Sequence, residues 1–320
     1  MSSSSENATI RARAVTYTGP GGEEVISIAE RVVRAPKSGE VRVKVAAAAV
    51  SPTDVLLRKT GGPAPFRPVT PGMDLAGTVE SVGPDVTRLA VGDEVMAAVL
   101  PVREDGGGQA SYVVVPAASV VARPKTASLV EASTLPMNGL TALYALEIAG
   151  LKPGQVFAVS GGAGYMAGFA IAFAKEQGLR VIADAKIEEM DKVAGLGADV
   201  VVPRGSDFAG AVLKEFPEGV DALLDTALLG ESSFPAIRDG GVYIPVRGWS
   251  DPESEARIRI KPVMVPDVFE RTEWLEKLAD AVDKGVIAPG VYGEFSPERV
   301  AEAQRLTMAG GMRGRAVIVF

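Results

Sequence analysis

The sequence predicts two parts: a partly open antiparallel β-barrel, then a doubly wound parallel sheet with helices on both faces. Three observations predict this fold class, α/β plus β. The first third carries short apolar runs parted by Gly-Pro breaks such as TGPGG and TGGPAP. From about residue 128, helical stretches alternate with runs of small or β-branched residues. Between them, VFAVSGGAGYMAGFAIAFAKEQGLRVIADAK (156–186) reads as strand, glycine cluster, helix and strand. A chain of 320 residues is long enough for two such domains.

The barrel strands are expected at ARAVTY (12–17), EVRVKVAAAAV (40–50), LAGTVESVG (75–83), DEVMAAV (93–99) and ASYVVV (110–115). Alternation in VRVKVA marks a half-buried strand. Helices are expected over 139–149, 164–177, 187–195, 207–215 and 231–238. Buried strands are expected at QVFAVS, RVIAD, DVVV, VDALLDT and GVYIPV. Two helices, near 270–284 and 297–309, and a last strand RAVIVF close the chain.

Composition narrows the chemistry. Net charge is -7, which gives no footprint for nucleic acid, and no apolar run is long enough for a bilayer. MSSSSENATIRAR lacks the apolar core of a signal peptide, so residues 1–10 are expected to be a disordered tail and the protein cytoplasmic. Cysteine and histidine are both absent. That removes disulfides, thiol nucleophiles, imidazole acid–base chemistry and every usual zinc ligand but carboxylate. The chemistry must come from a cofactor or from carboxylate, Lys, Tyr, Ser and Thr groups.

Gly162-Ala163-Gly164-Tyr165-Met166-Ala167 fits the dinucleotide fingerprint G-x-G-x-x-G/A in its required place after a strand and at the head of a helix. The glycines, Gly161 included, permit a tight turn and bare backbone at a diphosphate. The small last residue lets helix and strand approach. The helix start supplies N–H groups and the positive end of its dipole. Tyr165 is unusual there: its ring either covers the diphosphate or the substrate mouth, or is simply an aromatic opening a helix.

With these residues in place, the chain resembles the medium-chain dehydrogenase/reductase superfamily in its zinc-free quinone oxidoreductase (zeta-crystallin-like) branch. PVTPGMDLAGTVESVGPDVTRLAVGDEVMA (68–97) is similar to the family's barrel signature. GGGQASYVVVPAASVVARPKTASLVEASTLPMNGLTALYAL (106–146) resembles the crossing into its nucleotide domain. GLGADVVV, VDALLDT and GGMRGRAVIVF follow as later landmarks. The resemblance implies a GroES-like barrel from both chain ends, residues 11–127 and 286–320, and a Rossmann domain over 128–285, with the reaction in a cleft between them. Zinc-bearing relatives place Cys, His and Cys where this chain has Ser51, Met73 and Met137, so no metal is expected. It departs from the branch in having Ser51 where Asn is usual and Gly-Tyr-Met-Ala in the glycine loop.

The implied activity is hydride transfer from NADPH to an electrophilic carbonyl or quinone, a small-molecule acceptor that needs no Lewis acid. Lys186, just past the acid position of the second strand, and Arg204 at the tip of the third would read the 2′-phosphate. Asp184 keeps NADH open as the alternative. The resemblance places Thr141, Pro245, Val246 and Arg247 near the nicotinamide and Arg315 on the diphosphate. Thr226 falls at the carboxyl end of the sheet. Ser51, Thr53 and Asn138 are the candidates for touching the acceptor or relaying a proton. Asp54 is read as a cap for the helix that follows it. A homodimer is expected through the edge offered by GVYIPVRG and RIRIKPVMV (257–265). Against the reductase stands a nucleotide-binding structural, regulatory or non-redox protein on the same fold, suggested by the GYMA loop.

Overall fold

The alternating run at 41–46 lies within the longest strand among the described residues, and the first unit is built around it. The structure, a computed structural model, describes residues 9–62, 68–247 and 256–320. In chain order, β1 (Ile10–Tyr17), β2 (Ile26–Val33), β3 (Glu40–Ala49), α1 (Pro52–Thr60), β4 (Asp74–Val82), β5 (Glu94–Ala98), β6 (Tyr112–Pro116) and β7 (Val120–Ala122) come first. The short α2 (Leu129–Ala132) and the longer α3 (Pro136–Ala149) follow. Then come β8 (Val156–Ser160), α4 (Tyr165–Glu176), β9 (Arg180–Ala185), α5 (Met190–Gly195), β10 (Val200–Pro203), α6 (Phe208–Glu215), β11 (Val220–Asp225), β12 (Ile237–Pro245) and β13 (Arg259–Ile260). The chain ends with α7 (Thr272–Asp283), β14 (Val291–Phe295), α8 (Val300–Ala309) and β15 (Arg315–Val319). Two compact units result: residues 1–137 with 266–320, and residues 138–265.

In the first unit seven strands form one sheet in the order β14-β15-β3-β4-β5-β7, with β6 also on β3. Both chain ends therefore meet on β3: Val317 to Val319 run antiparallel to Ala49 to Ala47. The inward positions Val41, Val43, Val45, Leu75, Val79, Val95, Val113 and Val120 make its core. That alternation is what period 2 in the sequence demands. β1 and β2 form a separate hairpin, bridged to the rest at Ala14–Ala110 and Tyr17–Val69. This is a GroES-like barrel domain. The expected tail concerns residues 1–10, of which 1–8 lie outside the described residues.

The second unit is a six-stranded sheet in the order β10-β9-β8-β11-β12-β13, all neighbours parallel. Numbered within the unit, this is 3-2-1-4-5-6, the doubly wound Rossmann order. Phe208, Val212, Leu223, Phe234, Ile237 and Tyr243 pack in its core.

Two expectations are corrected here. Residues 231–238 were expected to be helical; a 3-10 turn spans Gly230–Ala236, with Pro235 inside it, and β12 begins at Ile237. Proline lacks the N–H an α-helix needs. The run 257–265 pairs as a strand only at Arg259–Ile260, outermost in its sheet, with Arg259 and Lys261 exposed. Lys261 and Val263 N–H still bond the Tyr243 and Pro245 carbonyls at 2.9 and 3.1 Å, so Pro262 lies on the outer side of this edge and removes a donor from it. Among the described residues no helix is long and apolar enough to cross a membrane.

Candidate active site

The reversal of strand order in the second unit falls between β8 and β11, where open α/β sheets hold ligands beyond their carboxyl ends. Gly161 to Gly164 lie there. Gly161 has φ +70, a left-handed conformation, and a Cβ on it would sit 2.6 Å from Thr226 Oγ1. Gly162 donates its N–H to the Asp184 carbonyl at 3.0 Å; a Cβ there would lie 2.8 Å from Ala183 Cβ. Gly164 starts α4 in extended backbone, with no side chain capping the helix. α6, by contrast, is capped by Asp207, which accepts from Gly210 N–H at 2.7 Å. The glycine loop thus offers bare backbone before an uncapped helix start, and this fits a diphosphate.

Tyr165 is half-buried, its ring centroid 4.8 Å from that of Phe169 four residues on. The pair is a one-turn helical contact, which supports the reading of Tyr165 as an aromatic opening the helix. Asp184 turns inward. It is buried, and its carboxylate accepts from Gly161 N–H and, at 2.7 Å, from Arg204 Nε. Its carboxylate thus braces the glycine turn. Lys186, two residues on, is exposed. Thr226 donates to the Ser160 carbonyl at 2.6 Å. Pro245 is buried, Val246 half-buried and Arg247 exposed, together at the end of β12. Asn138 and Thr141, one turn apart on α3, are buried and half-buried.

The barrel unit gathers a second group. Ser51 Oγ donates to Met137 Sδ at 3.4 Å, and Thr53 Oγ1 to Met73 Sδ at 2.9 Å. The three positions that resemble zinc-ligand positions are therefore brought together by this fold. The donor set does not fit zinc. Thioethers are neutral and weak, and the hydroxyl already points at one of them. Among the described residues no three His, Cys, Asp or Glu side chains gather as a cage.

Under this group lie two fully buried carboxylates. Asp54 accepts from Ser51 N–H at 2.8 Å, Gly72 N–H at 3.0 Å and Gln109 Nε2 at 3.0 Å. Asp54 was expected to cap the helix after it; instead it sits inside α1, three residues past the capping Ser51, and accepts the Ser51 N–H as the acid of a capping box. Burial pushes Asp54 up to about 6, against the pull of those N–H groups and Arg315. Asp74 accepts from Met137 N–H, while its Oδ2 is buried without a partner. Burial, with Asp54 adding to it, pushes Asp74 up to about 7. Arg315, expected on a diphosphate, is buried here instead. Its Nε and Nη2 donate to the Val50 carbonyl at 3.1 and 2.6 Å, and its charge faces both acids. Sequence reasoning missed Asp74 and Asp225. The available signal was an acid beside or at the end of an apolar strand run, in GMDLAG and VDALLDT.

Comparison with known proteins agrees with this architecture. The alcohol dehydrogenase GroES-like domain model matches residues 37–125, and a zinc-binding dehydrogenase model matches residues 196–318. The chain is 34% identical over 236 residues to an alcohol dehydrogenase of Geobacillus stearothermophilus, covering 65% of this chain and 70% of that one. It is 29% identical over 320 residues to the 2-methylene-furan-3-one reductase of Solanum lycopersicum, covering 96% of this chain and 78% of the relative. A mycobacterial protein solved in complex with NADPH superposes with a TM-score of 0.82 at 25% identity, over 97% of this chain and 100% of that one. Barrel, Rossmann sheet and glycine loop together define a two-domain nucleotide-dependent dehydrogenase architecture. The chain belongs to the medium-chain dehydrogenase/reductase superfamily.

Proposed function

We propose that the chain is an NADPH-dependent reductase that works without zinc and passes hydride to a quinone or an α,β-unsaturated carbonyl. One observation carries the reading. A glycine turn with a left-handed Gly161 and an uncapped helix start lies at the switch point of a 3-2-1-4-5-6 sheet. The tomato relative, named for reducing a conjugated methylene-furanone, and the mycobacterial NADPH complex support it.

When bound, the cofactor supplies the hydride from C4 of its dihydronicotinamide. The protein's own work is binding and orientation. Gly161, Gly162 and Gly164, whose own N–H groups are held within the protein, would leave room for the diphosphate, and the first-turn amides of Tyr165, Met166 and Ala167 would hold it. Lys186 would meet the 2′-phosphate, joined by the guanidinium N–H groups of Arg204 that lie beyond the Nε held by Asp184. The inward carboxylate of Asp184 removes the acceptor that would favour NADH. Thr226, Pro245, Val246 and Arg247 at the strand ends, with Asn138 and Thr141 on α3, would line the nicotinamide side. Ser51 and Thr53, whose hydroxyls rest on thioethers that are weak acceptors, and Asn138 are the residues proposed to touch the acceptor or relay a proton; Ser51 also caps α1. Arg315 is left out of the nucleotide site because Val50 holds it. With no fit for a Lewis acid at Ser51, Met73 and Met137, the acceptor must already be electrophilic. The proton that completes reduction comes from water.

The decisive measurement is rapid mixing with NADPH deuterated at C4, against a panel of quinones and enones. Deuterium is expected in the reduced product. Tight NADPH binding with no transfer to any acceptor would instead favour a structural or regulatory role. In the same assay Lys186→Ala is expected to lower kcat/KM for NADPH about tenfold and leave NADH nearly unchanged, as loss of one charge-assisted contact implies. Equal losses with both coenzymes would remove Lys186 from the 2′-phosphate site. The homodimer belongs to the same reading, with β13 as the outermost strand available for pairing. Sedimentation at twice the chain mass is expected, and a monomer at micromolar concentration would refute it.

A further inference from the structure

We infer that Asp225 is the positioning residue of the nucleotide site, acting through Ser160, Tyr243 and Gly230 rather than by touching the ligand. The inference rests on the nucleotide-binding reading above and deepens it. Asp225 ends β11, in register with Ser160 at the end of β8 on one side and Pro245 at the end of β12 on the other. It is fully buried. Oδ1 accepts from Ser160 Oγ at 2.6 Å; Oδ2 accepts from the Tyr243 hydroxyl at 2.6 Å and from Gly230 N–H at 2.9 Å.

Ser160 extends the reach of this carboxylate. Its Oγ accepts from Ala227 N–H at 3.1 Å, and its carbonyl accepts from Thr226 Oγ1 at 2.6 Å. The turn at 226–230 is therefore tied at both ends, at Ala227 through Ser160 and at Gly230 directly. Between the ties Leu228 is held at φ 60, a conformation that only surrounding structure enforces on a residue other than glycine. Tyr243 brings in β12, and Val246, just past that strand, donates its N–H to the Asp225 carbonyl at 3.4 Å.

One acid thus joins the three segments that carry the candidate nucleotide residues. Gly161 follows Ser160, Thr226 follows Asp225, and Val246 follows the strand that Tyr243 anchors. On the far side of Gly161, Asp184 accepts its N–H, so the glycine turn is bracketed by two buried carboxylates. Both are supplied with protein donors, so neither looks for a partner in the ligand. A brace for the fold alone would lie anywhere along the sheet. This one lies at the switch point, where displacing a backbone amide by an ångström costs ligand affinity.

The test uses the full-length chain as wild type, Asp225→Asn, Ser160→Ala and Tyr243→Phe. Thermal melts establish that each variant is folded at the assay temperature. Dissociation constants for NADPH are then measured by its fluorescence, and KM and kcat with the best acceptor. Asp225→Asn is expected to weaken NADPH binding about tenfold or more, and Ser160→Ala by about threefold to tenfold, as loss of charge-assisted and buried contacts implies. Tyr243→Phe, which leaves Gly230 on the same oxygen, should do less. KM for NADPH should rise while kcat at saturation stays within about twofold, a split that general destabilisation does not produce. Folded variants that bind NADPH as the wild type does, or that lose kcat at constant KM, overturn the assignment. Should Asp225→Asn fail to fold, Ser160→Ala and Tyr243→Phe decide by the same criterion. If the wild type itself binds no NADPH, the nucleotide reading falls and takes this one with it. If it binds and the variants do not differ, only this one falls.

Discussion

Gly162→Ala is expected to weaken NADPH binding by at least about tenfold and to cost on the order of 2 kcal/mol of stability, although it adds one methyl group. The reason is the approach of loop to strand. A Cβ on Gly162 would lie 2.8 Å from Ala183 Cβ, 3.0 Å from the Asp184 carbonyl oxygen and 3.1 Å from Val193 Cγ1. None of these is the far end of a flexible side chain. Relief would require the loop to lift off β9, breaking the bond from Gly162 N–H to the Asp184 carbonyl. The amides that face a diphosphate would move with it. The control lies six residues away. A Cβ on Gly168, inside α4, would meet only Leu196 at 3.4 and 3.6 Å, ordinary contact distances. Gly168→Ala should therefore leave binding intact and raise stability by up to about 1 kcal/mol, through the better helix propensity of alanine. Melting curves and fluorescence titrations of the two variants check the pair. Similar behaviour from both would show that the glycines are not differentiated in the way their surroundings require.

That contrast also shows what the sequence made legible. Period-2 alternation in VRVKVA and strand–helix alternation after residue 128 were sufficient to predict both folds, because each half buries its apolar face in a regular way. The glycine motif predicted its own strand–turn–helix setting because a left-handed turn and a close approach of loop to strand are positions that only glycine fills without strain. β2 and β14 escaped, since ISIAERVV and VYGEF lie near sheet edges and break alternation with polar or small residues. The helix expected at 231–238 failed on Pro235. At the site, local position was readable, but the direction of a side chain was not. Lys186 and Asp184 are two residues apart on one strand end. Only the folded chain shows that Asp184 turns in to Gly161 and Arg204 while Lys186 stays in solvent. Arg315 is the same case, a strand residue whose charge is consumed by acids 241 and 261 positions earlier in the chain.

Those two acids make the stability of the barrel unit fall as pH rises from about 4 to about 8, and Asp74→Asn should remove much of that fall. Burial raises Asp54 to about 6 and Asp74 to about 7 from an ordinary value of 3.8. A raised carboxyl holds its proton in the folded chain after the unfolded chain has released it. Across the interval the folded state binds more protons, so unfolding becomes easier as protons are withdrawn. The contribution is complete below pH 4 and gone above the folded values. For Asp74 the shift corresponds to at most about 4 kcal/mol. The groups facing the pair set its size: Arg315 and the N–H donors from Ser51, Gly72 and Met137 oppose the shift, while burial drives it. Asp54 also faces the phenol of Tyr17, itself raised by burial and held by Gln304 at 2.6 Å. Asparagine at position 74 retains an acceptor for Met137 N–H and has no charge to desolvate. Against that gain, its amide would occupy the place of an oxygen that has no partner. The variant should therefore melt close to the wild type at pH 5 and several degrees above it at pH 8. Because the two acids interact, the difference between the two melting profiles reports Asp74 together with the change its removal makes in Asp54. Parallel profiles from pH 5 to 8 would mean that Arg315 keeps Asp74 ionised throughout, and that the buried acid costs the barrel nothing.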